Sequence, residues 1–526
     1  MTLSTEKVDV VIVGSGAAGG AMAAKLAAGG KKVVILEAGP DRGNPDLISS
    51  GIWARRQKWH GEPVEDVGPN SVGYGFNAGY GIGGGAMSHY GVWPRFHEED
   101  FDMFSRFGKA FDWPIRYTDL QPYYDQVQLE SGVAGDAEKE TWRPPGDPYP
   151  MPPVPRFAQG KIIAGGFEKL GMHTAPLPLA VTTTNYNGRD LCIWDGWCDA
   201  GCPIGALANP ITIDLPIAYE HGAVLHANST VTRVLTNESG EFATGVEYHD
   251  GASEKQQVMA DMVVLAAFTV QNPRLMLASA NNNHPTGLGN SSGTLGKYLM
   301  SHPAGLIYGL FDVPTSCYYG AFGGQLVCQD GYKKDTHSDS GAFGSYQWMI
   351  AQAVKPNDLL GISTTRPDLF GDKLHAFMKD AAHGFASMTA VVEDLPVAEN
   401  AITLSENVDR YGVPLARISH TTHEQSKMLW QAVLEEGQAV FKAAGAREVW
   451  TGPQAAMHII GGTRMGDDPE NSVCNSYGQT HDIPNLVVAG AGLFPTSAGV
   501  NPTFTIHAVT ARSSEHLLKN WNSVTR

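Results

Sequence analysis

Residues 8–37 constrain the fold more than any other stretch. Val8–Val13 (VDVVIV) is a short β-branched apolar run of strand length, and Gly14-Ser-Gly16-Ala-Ala-Gly19 follows it with no spacer. Residues 20–28 (GAMAAKLAA) read as a helix, and Lys32–Leu36 reads as a second strand ending on Glu37. Strand, glycine turn, helix, strand and acid in this order describe a dinucleotide-binding unit. Gly14 permits the tight turn, Gly16 lets the backbone approach a pyrophosphate, and Gly19 lets the helix close on the strand. The helix N-terminus turns its partial positive charge toward the phosphates. Glu37 stands where an acid accepts hydrogen bonds from a ribose hydroxyl. A glycine motif alone is weak evidence in a chain with 61 glycines, so its place between two strands carries the weight.

Two further glycine-rich segments bear on which dinucleotide is bound. Tyr80–Tyr90 (YGIGGGAMSHY) forms a second loop ahead of Trp93-Pro-Arg95, and Asn485–Gly492 (NLVVAGAG) reads as a buried strand entering a glycine turn. Ala508–Leu518 reads as a closing helix. A cofactor gripped by both ends of the chain and by an internal loop suits a long FAD better than a nicotinamide held in one compact unit.

The remaining sequence suggests an α/β protein with a discontinuous Rossmann-like FAD-binding domain and an antiparallel-sheet substrate domain. The FAD-binding domain is expected from residues 1–40, 70–100, 222–303 and 455–526. A helical and loop insertion is expected over 101–221, and the substrate domain over 304–454. Residues 41–79 read as loop and short helix with Trp53 and Trp59 as packing anchors. Residues 97–134 carry helical stretches, one starting near Tyr117 with Thr118 as N-cap. Residues 142–155 form a proline-rich connector, and 223–250 read as a β-meander leading into a strand at Met262–Ala267. Aromatic-rich segments alternate with turns over 304–415.

Composition excludes several classes. With 42% hydrophobic and 17% charged residues the chain has ample core, and a net charge of −17 offers no footprint for nucleic acid or an anionic membrane. No apolar run reaches transmembrane length. Met1–Lys7 has neither an apolar signal region nor twin arginines, so export is expected to depend on another chain. Six cysteines are too few for a disulfide scaffold.

Three of those six fall within eleven residues, Cys192, Cys198 and Cys202, with Pro203 next. Such spacing lets three thiolates converge, and proline after the last one matches iron–sulfur binding loops. Three thiolates suit a three-iron cluster, or a four-iron cluster with one foreign ligand. Zinc with a fourth ligand and a chance group of buried cysteines are the rivals. Cys317, Cys328 and Cys474 read as core residues.

Near the C-terminus, His458 precedes Gly461-Gly462, and Asn501-Pro-Thr follows a second turn at Thr496–Val500. Alcohol oxidation by flavin needs a group to take the hydroxyl proton, and neutral imidazole suits that task. Asn501 could donate a hydrogen bond to the substrate oxygen. His89, His302, His481 and His507 compete for the role of base on residue chemistry alone.

Taken together, these segments resemble the glucose–methanol–choline (GMC) flavoprotein oxidoreductases nearly end to end. The likeness rests on residues 8–39, Gly83–His89, Gly296–Pro303, His458–Gly466 and Asn485–Thr505. The Cys192/Cys198/Cys202 segment resembles, within that family, the catalytic subunits of bacterial FAD-dependent sugar and polyol dehydrogenases. The resemblance implies His458 as catalytic base and Asn501 as its partner at the flavin ring. It implies FAD contacts at Gly14, Gly16, Gly19, Glu37, His89, Val231, Ala267 and Asn501, and a [3Fe-4S] cluster on Cys192, Cys198 and Cys202. His89 matches a histidine that carries flavin covalently in some relatives, although Tyr90 replaces the usual tryptophan. A cysteine doublet of some relatives is absent, since Ile193 follows Cys192.

The activity implied is oxidation of a sugar or glycoside hydroxyl to the keto sugar, C3 being favoured over glucose C1 or a polyol. A small escort subunit and a cytochrome c-type acceptor commonly complete such complexes, which places the chain in the periplasm or at the membrane through its partners. Without an escort it stays in the cytoplasm. Rival readings are a pyranose-oxidase-like enzyme using O2 and a non-redox lyase of the hydroxynitrile-lyase kind.

Overall fold

The computed structural model describes residues 7–525; the export reading of Met1–Glu6 lies outside the described residues. Val8–Val13 is central to a seven-stranded sheet. Val33–Leu36 lies parallel on one side, with Val224–His226 parallel beyond it. On the other side runs Lys255–Leu265, whose second half is parallel both to Val8–Val13 and to Leu486–Val488. Its first half pairs antiparallel with Ala243–His249, which in turn pairs with Thr230–Thr236. The sequence of this one strand explains its two partnerships. Met262–Leu265 is apolar and buried on both faces, as a parallel central strand must be. Lys255–Met259 alternates exposed and less exposed side chains, as a half-covered antiparallel ribbon does. The alanine-rich helix Ala17–Ala28 packs against the C-terminal helix Thr503–Lys519.

A second sheet is built around Met300–Leu310. Phe385–Val392, Tyr346–Ile350, Leu326–Cys328 and Ala175–Pro176 follow one another antiparallel on one side. Glu448–Thr451 and Ala455–Ile460 pair with Met300–Leu310 on the other. Helices Ala158–Lys169 and Glu424–Ala444 cover it through a core that includes Phe167, Trp348, Val433 and Phe441. The α/β architecture expected from the sequence, a Rossmann-like unit joined to an antiparallel sheet, is the one observed.

Several boundaries differ. The division at 303/304 falls inside an uninterrupted strand, because pairing with Phe385–Val392 begins only at Ala304 and Pro303 removes no donor from that ladder. Ala455–Ile460, grouped with the FAD-binding residues from sequence, is hydrogen-bonded into the second sheet. Val224–His226 belongs to the parallel ladder and not to the meander. The strand expected at Met262–Ala267 spans Lys255–Leu265. Helix Tyr117–Ser131 is capped by Arg116, whose N–H is received by the Asp119 carboxylate at 2.8 Å, so Thr118 lies inside the helix.

Candidate active site

A cavity of about 810 Å3 lies between the two sheets, large enough for a dinucleotide cofactor and a small substrate. Gly14, Gly16, Glu37, His89, Val231, Ala267, His458 and Asn501 all line it. Gly19 does not, and its role is packing: a Cβ there would lie 2.0 Å from the carbonyl oxygen of Gly14. Gly14 has φ +95°, and a Cβ on it would stand 2.5 Å from the carbonyl oxygen of Ala266. Gly16 faces open space, with nothing nearer than 3.9 Å to a Cβ built there. The three positions thus differ: a left-handed turn at Gly14, open space at Gly16 and close backbone packing at Gly19.

Glu37 has a second task that the sequence did not suggest. Its carboxylate accepts from the Ser15 N–H at 3.0 Å, the Ser15 hydroxyl at 2.7 Å and the Gly39 N–H at 2.9 Å. Ser15 Oγ in turn accepts from the Gly83 N–H at 3.0 Å. The acid therefore pins the second glycine loop onto the first. Burial raises its pKa, and the hydrogen bonds from Gly39 and Ser15 counter that rise.

His89 is held at both ring nitrogens. Nε2 donates to the Ala208 carbonyl at 2.7 Å, and Nδ1 accepts from the Gly91 N–H at 3.2 Å. Burial pulls its pKa down to about 4. A covalent bond from this ring to flavin would require giving up one of those two contacts.

His458 is the extra residue of a β-bulge. In the pairing of Ala455–Ile460 with Met300–Leu310, Met457 faces His302 and Ile459 faces Ser301, leaving His458 unpaired with φ +54°. The bulge turns its ring out of the ladder and into the cavity. His302, fully buried behind it, donates from Nε2 to the carbonyls of Ala498 and Ser497 at 2.9 and 3.1 Å. A neutral His302 therefore has a lone pair on Nδ1, which receives the Nδ1–H of His458 at 2.9 Å. That fixes the proton of His458 on Nδ1 and leaves Nε2 an unprotonated base, whose lone pair accepts from Asn501 Nδ2 at 3.1 Å. Burial, then the neighbouring His302, holds the His458 pKa well below that of free imidazole, so the base form persists at neutral pH.

The other histidines separate cleanly. His302 does not line the cavity and positions His458. His481 bonds the Ser472 hydroxyl, and His507 packs on Trp93 with ring centres 4.8 Å apart. Beyond His458 the second sheet contributes Tyr308, Ser387 and Thr389 to the cavity wall, with Gln352 just past the end of Tyr346–Ile350. Burial pushes the Tyr308 hydroxyl up to about 12, and Thr389 donates to the Gln352 side-chain carbonyl. Sequence reading missed these four. The available signal was the pair of hydroxyls two residues apart in the otherwise apolar run Phe385–Val392. Among the nearby aromatics, Trp348 and Trp430 are hydrogen-bonded to Glu436 and the Ala304 carbonyl, whereas Phe322 reaches the cavity.

Cys192, Cys198 and Cys202 are all buried, unpaired in disulfides, and share one apolar cluster with Tyr90, Phe322 and Met457, which also line the cavity. Main-chain N–H groups of Trp194 and Leu207 point at the sulfurs of Cys192 and Cys202, both at 3.4 Å. Burial raises all three thiols, Cys192 to about 12. Among the described residues, no three His, Cys, Asp or Glu side chains gather tightly enough to hold a single metal ion. No described helix is long and apolar enough to cross a membrane.

A glycine-lined dinucleotide cavity with an unprotonated imidazole nitrogen at its inner end defines an FAD-dependent oxidoreductase of CH–OH groups. The chain belongs to the GMC oxidoreductase family, which it matches over residues 8–304 and 396–510. It is 32% identical to 2-methyl-1,2-propanediol dehydrogenase of Mycolicibacterium austroafricanum, across 100% of this chain and 97% of that one. It is 28% identical to the fructose dehydrogenase large subunit of Gluconobacter japonicus, across 99% of each. Identity to the gluconate 2-dehydrogenase flavoprotein of Pantoea cypripedii is also 28%, across 98% and 95%. Among solved structures, a formate oxidase has the same fold with a TM-score of 0.70 at 15% identity, over 99% of this chain and 100% of that one.

Proposed function

We propose that this chain is the catalytic chain of an FAD-dependent dehydrogenase that oxidises a sugar or polyol hydroxyl and passes the electrons to an external acceptor through a [3Fe-4S] cluster. The observation that carries the oxidation is the unprotonated Nε2 of His458, hydrogen-bonded to Asn501 Nδ2. A hydroxyl that displaces the amide from Nε2 donates to that lone pair and accepts from the Asn501 NH2, so its proton has a destination as the carbon is oxidised. Bound FAD supplies the hydride acceptor. Gly14, Gly16, Glu37, Val231 and Ala267 would hold its nucleotide length, with His89 and Asn501 toward the ring. Ser387, Thr389, Gln352 and Tyr308 give the far wall the hydrogen-bonding character that a polyhydroxylated substrate requires. The glycoside C3 hydroxyl is the position we favour, on the likeness of the Gly83–His89 loop to enzymes of secondary pyranose hydroxyls. Glucose C1 and polyol oxidation are its alternatives.

The electron route rests on the three thiols. Separate thiolates suit the separate iron corners of a cluster, and N–H groups aimed at two of the sulfurs are the donors such a cluster uses. A bound cluster supplies one-electron transfer. Two exposed apolar stretches border this loop, Leu191 and Ile193 in one irregular segment and Tyr318 and Tyr319 in another, joined by the Gly320 N–H donating to the Trp194 carbonyl at 3.1 Å. They suit cover by a partner, which we take to be an escort subunit or a cytochrome c-type acceptor at the periplasmic side.

The test is an absorption spectrum with iron and acid-labile sulfide analysis, before and after anaerobic sugar. About three irons per flavin and bleaching by sugar would support the reading, and product analysis would give the position. Flavin without iron in anaerobically purified protein would overturn the cluster, and peroxide formation would turn the assignment to an oxidase. A flavin that no alcohol bleaches would overturn the oxidation itself.

A further inference from the structure

Asn501 can serve the reacting oxygen only if it shows its NH2 group to the cavity, yet an amide rotates by 180° with little change in shape. The structure contains a device that decides the matter. Asn501 Oδ1 accepts from Gln347 Nε2 at 2.8 Å. Gln347 Oε1 accepts from Gln329 Nε2 at 3.0 Å, and Gln329 Oε1 contacts His97 Nε2 at 3.1 Å. Gln347 and Gln329 are buried, and neither lines the cavity.

The polarity of this row follows from its far end. The carbonyls of Ser497 and Ala498 can only accept, so His302 Nε2 carries a proton and its Nδ1 does not. His458 must then donate from Nδ1 and present a lone pair at Nε2. Only the NH2 of Asn501 suits that lone pair, which leaves Oδ1 facing Gln347. Gln347 must answer with its NH2, Gln329 with its own, and His97 with an Nε2–H. Every group is neutral, and every link donates in the same sense, from His97 toward the two carbonyls. Reversing any one amide places two acceptors or two donors face to face in a buried setting.

We propose that Gln347 is a positioning residue for alcohol oxidation: through Gln329 and His97 behind it, it locks the Asn501 amide with Nδ2 toward the reacting oxygen. Its place is in the second sheet, on Tyr346–Ile350, whereas Asn501 precedes the C-terminal helix. The contact thus makes the orientation of the site depend on correct docking of the two sheets. The inference rests on the His458–Asn501 reading of the active site and on no particular sugar.

Two substitutions test it. Q347L removes the donor at every pH. Q347E keeps the shape but donates to Asn501 only while its carboxyl is protonated, a form that burial favours. Anaerobic flavin reduction by substrate is expected to slow about tenfold or more in Q347L at all pH values, with KM changed much less than kcat. Q347E should match the wild-type rate at acid pH and fall toward the Q347L rate as pH rises. Crystal structures of Q347E at low and high pH should keep the Asn501–His458 contact in the first and lose it in the second. Reduction by Q347L within threefold of wild type, or a Q347E profile parallel to that of wild type, would overturn the inference. If no alcohol reduces the wild-type flavin, the functional reading fails, and the crystallographic comparison still decides whether Gln347 sets the amide.

Discussion

Replacing His302 by leucine is the sharpest perturbation of the base itself. The ring touches neither cavity nor substrate, so its loss acts through His458 alone. Leucine leaves the Nδ1–H of His458 buried without an acceptor, at a cost of about 1–3 kcal/mol. His458 can avoid that cost by moving its proton to Nε2. There it meets the NH2 of Asn501, donor against donor, and the lone pair that takes the substrate proton is gone. Either outcome subtracts about 1–3 kcal/mol from the productive arrangement, which is about 5- to 150-fold in rate. The assay is stopped-flow flavin reduction at saturating substrate without oxygen. H302Q serves as the control, because its amide can accept from His458 and donate to the Ser497 and Ala498 carbonyls. It should stay within about threefold of wild type. H302L reducing flavin as fast as wild type, or H302Q as slowly as H302L, would refute the tautomer argument.

Three further outcomes are expected. Gly16→Ala should fold and lose flavin, since its Cβ enters open cavity, whereas Gly19→Ala should unfold at lower temperature because its Cβ meets a backbone oxygen at 2.0 Å; flavin content and Tm separate them. Asp214 has a buried Oδ2 without a hydrogen-bond partner, and burial raises its pKa to about 8. The folded chain holds that proton more tightly than the unfolded one, so stability is lost as pH rises from about 4 to about 8. Denaturant titrations should show Asp214→Asn gaining on wild type by up to about 1.4 kcal/mol per pH unit across that window, and parallel curves would contradict it. Cys198→Ser should keep bleaching of flavin by substrate while losing iron and turnover with a one-electron acceptor; unchanged iron content would count against the cluster.

How much of this was readable beforehand depended on whether the signal was local. The Val8–Glu37 unit announced itself because strand, turn and helix are contiguous, and Gly19 closes the helix on Gly14 within the motif itself. His458 and Asn501 were nameable through their flanking turns, though residue chemistry alone could not rank His458 above His302. The ranking comes from a bulge in pairing with a strand some 150 residues away, and no local pattern encodes it. Gln347, Gln329 and Tyr308 were invisible for the same reason. A polar side chain in an apolar strand reads only as an exception until the element facing it is known. The boundary at 303/304 shows the same limit: Pro303 lies inside Met300–Leu310, opposite Ala456, one residue before pairing with Phe385–Val392 begins.

The strand Lys255–Leu265 has a consequence for synthesis as well as for shape. Val8 pairs with Ala260, so the first strand emerges from the ribosome roughly 250 residues before its partner. At elongation speeds of roughly 5–20 residues per second that interval is on the order of 10–50 s. Throughout it Val10–Val13, wholly apolar, has only Val33–Leu36 beside it and an open edge where Lys255–Leu265 will lie. Leu486–Val488 arrives later still, together with the segment bearing Asn501. The nascent chain therefore carries an uncovered apolar strand edge until Lys255–Leu265 is made, the kind of edge that chaperones are suited to cover. A chain cut short before Leu486 would lack both the last parallel strand and Asn501, leaving an unpaired sheet edge and an incomplete site.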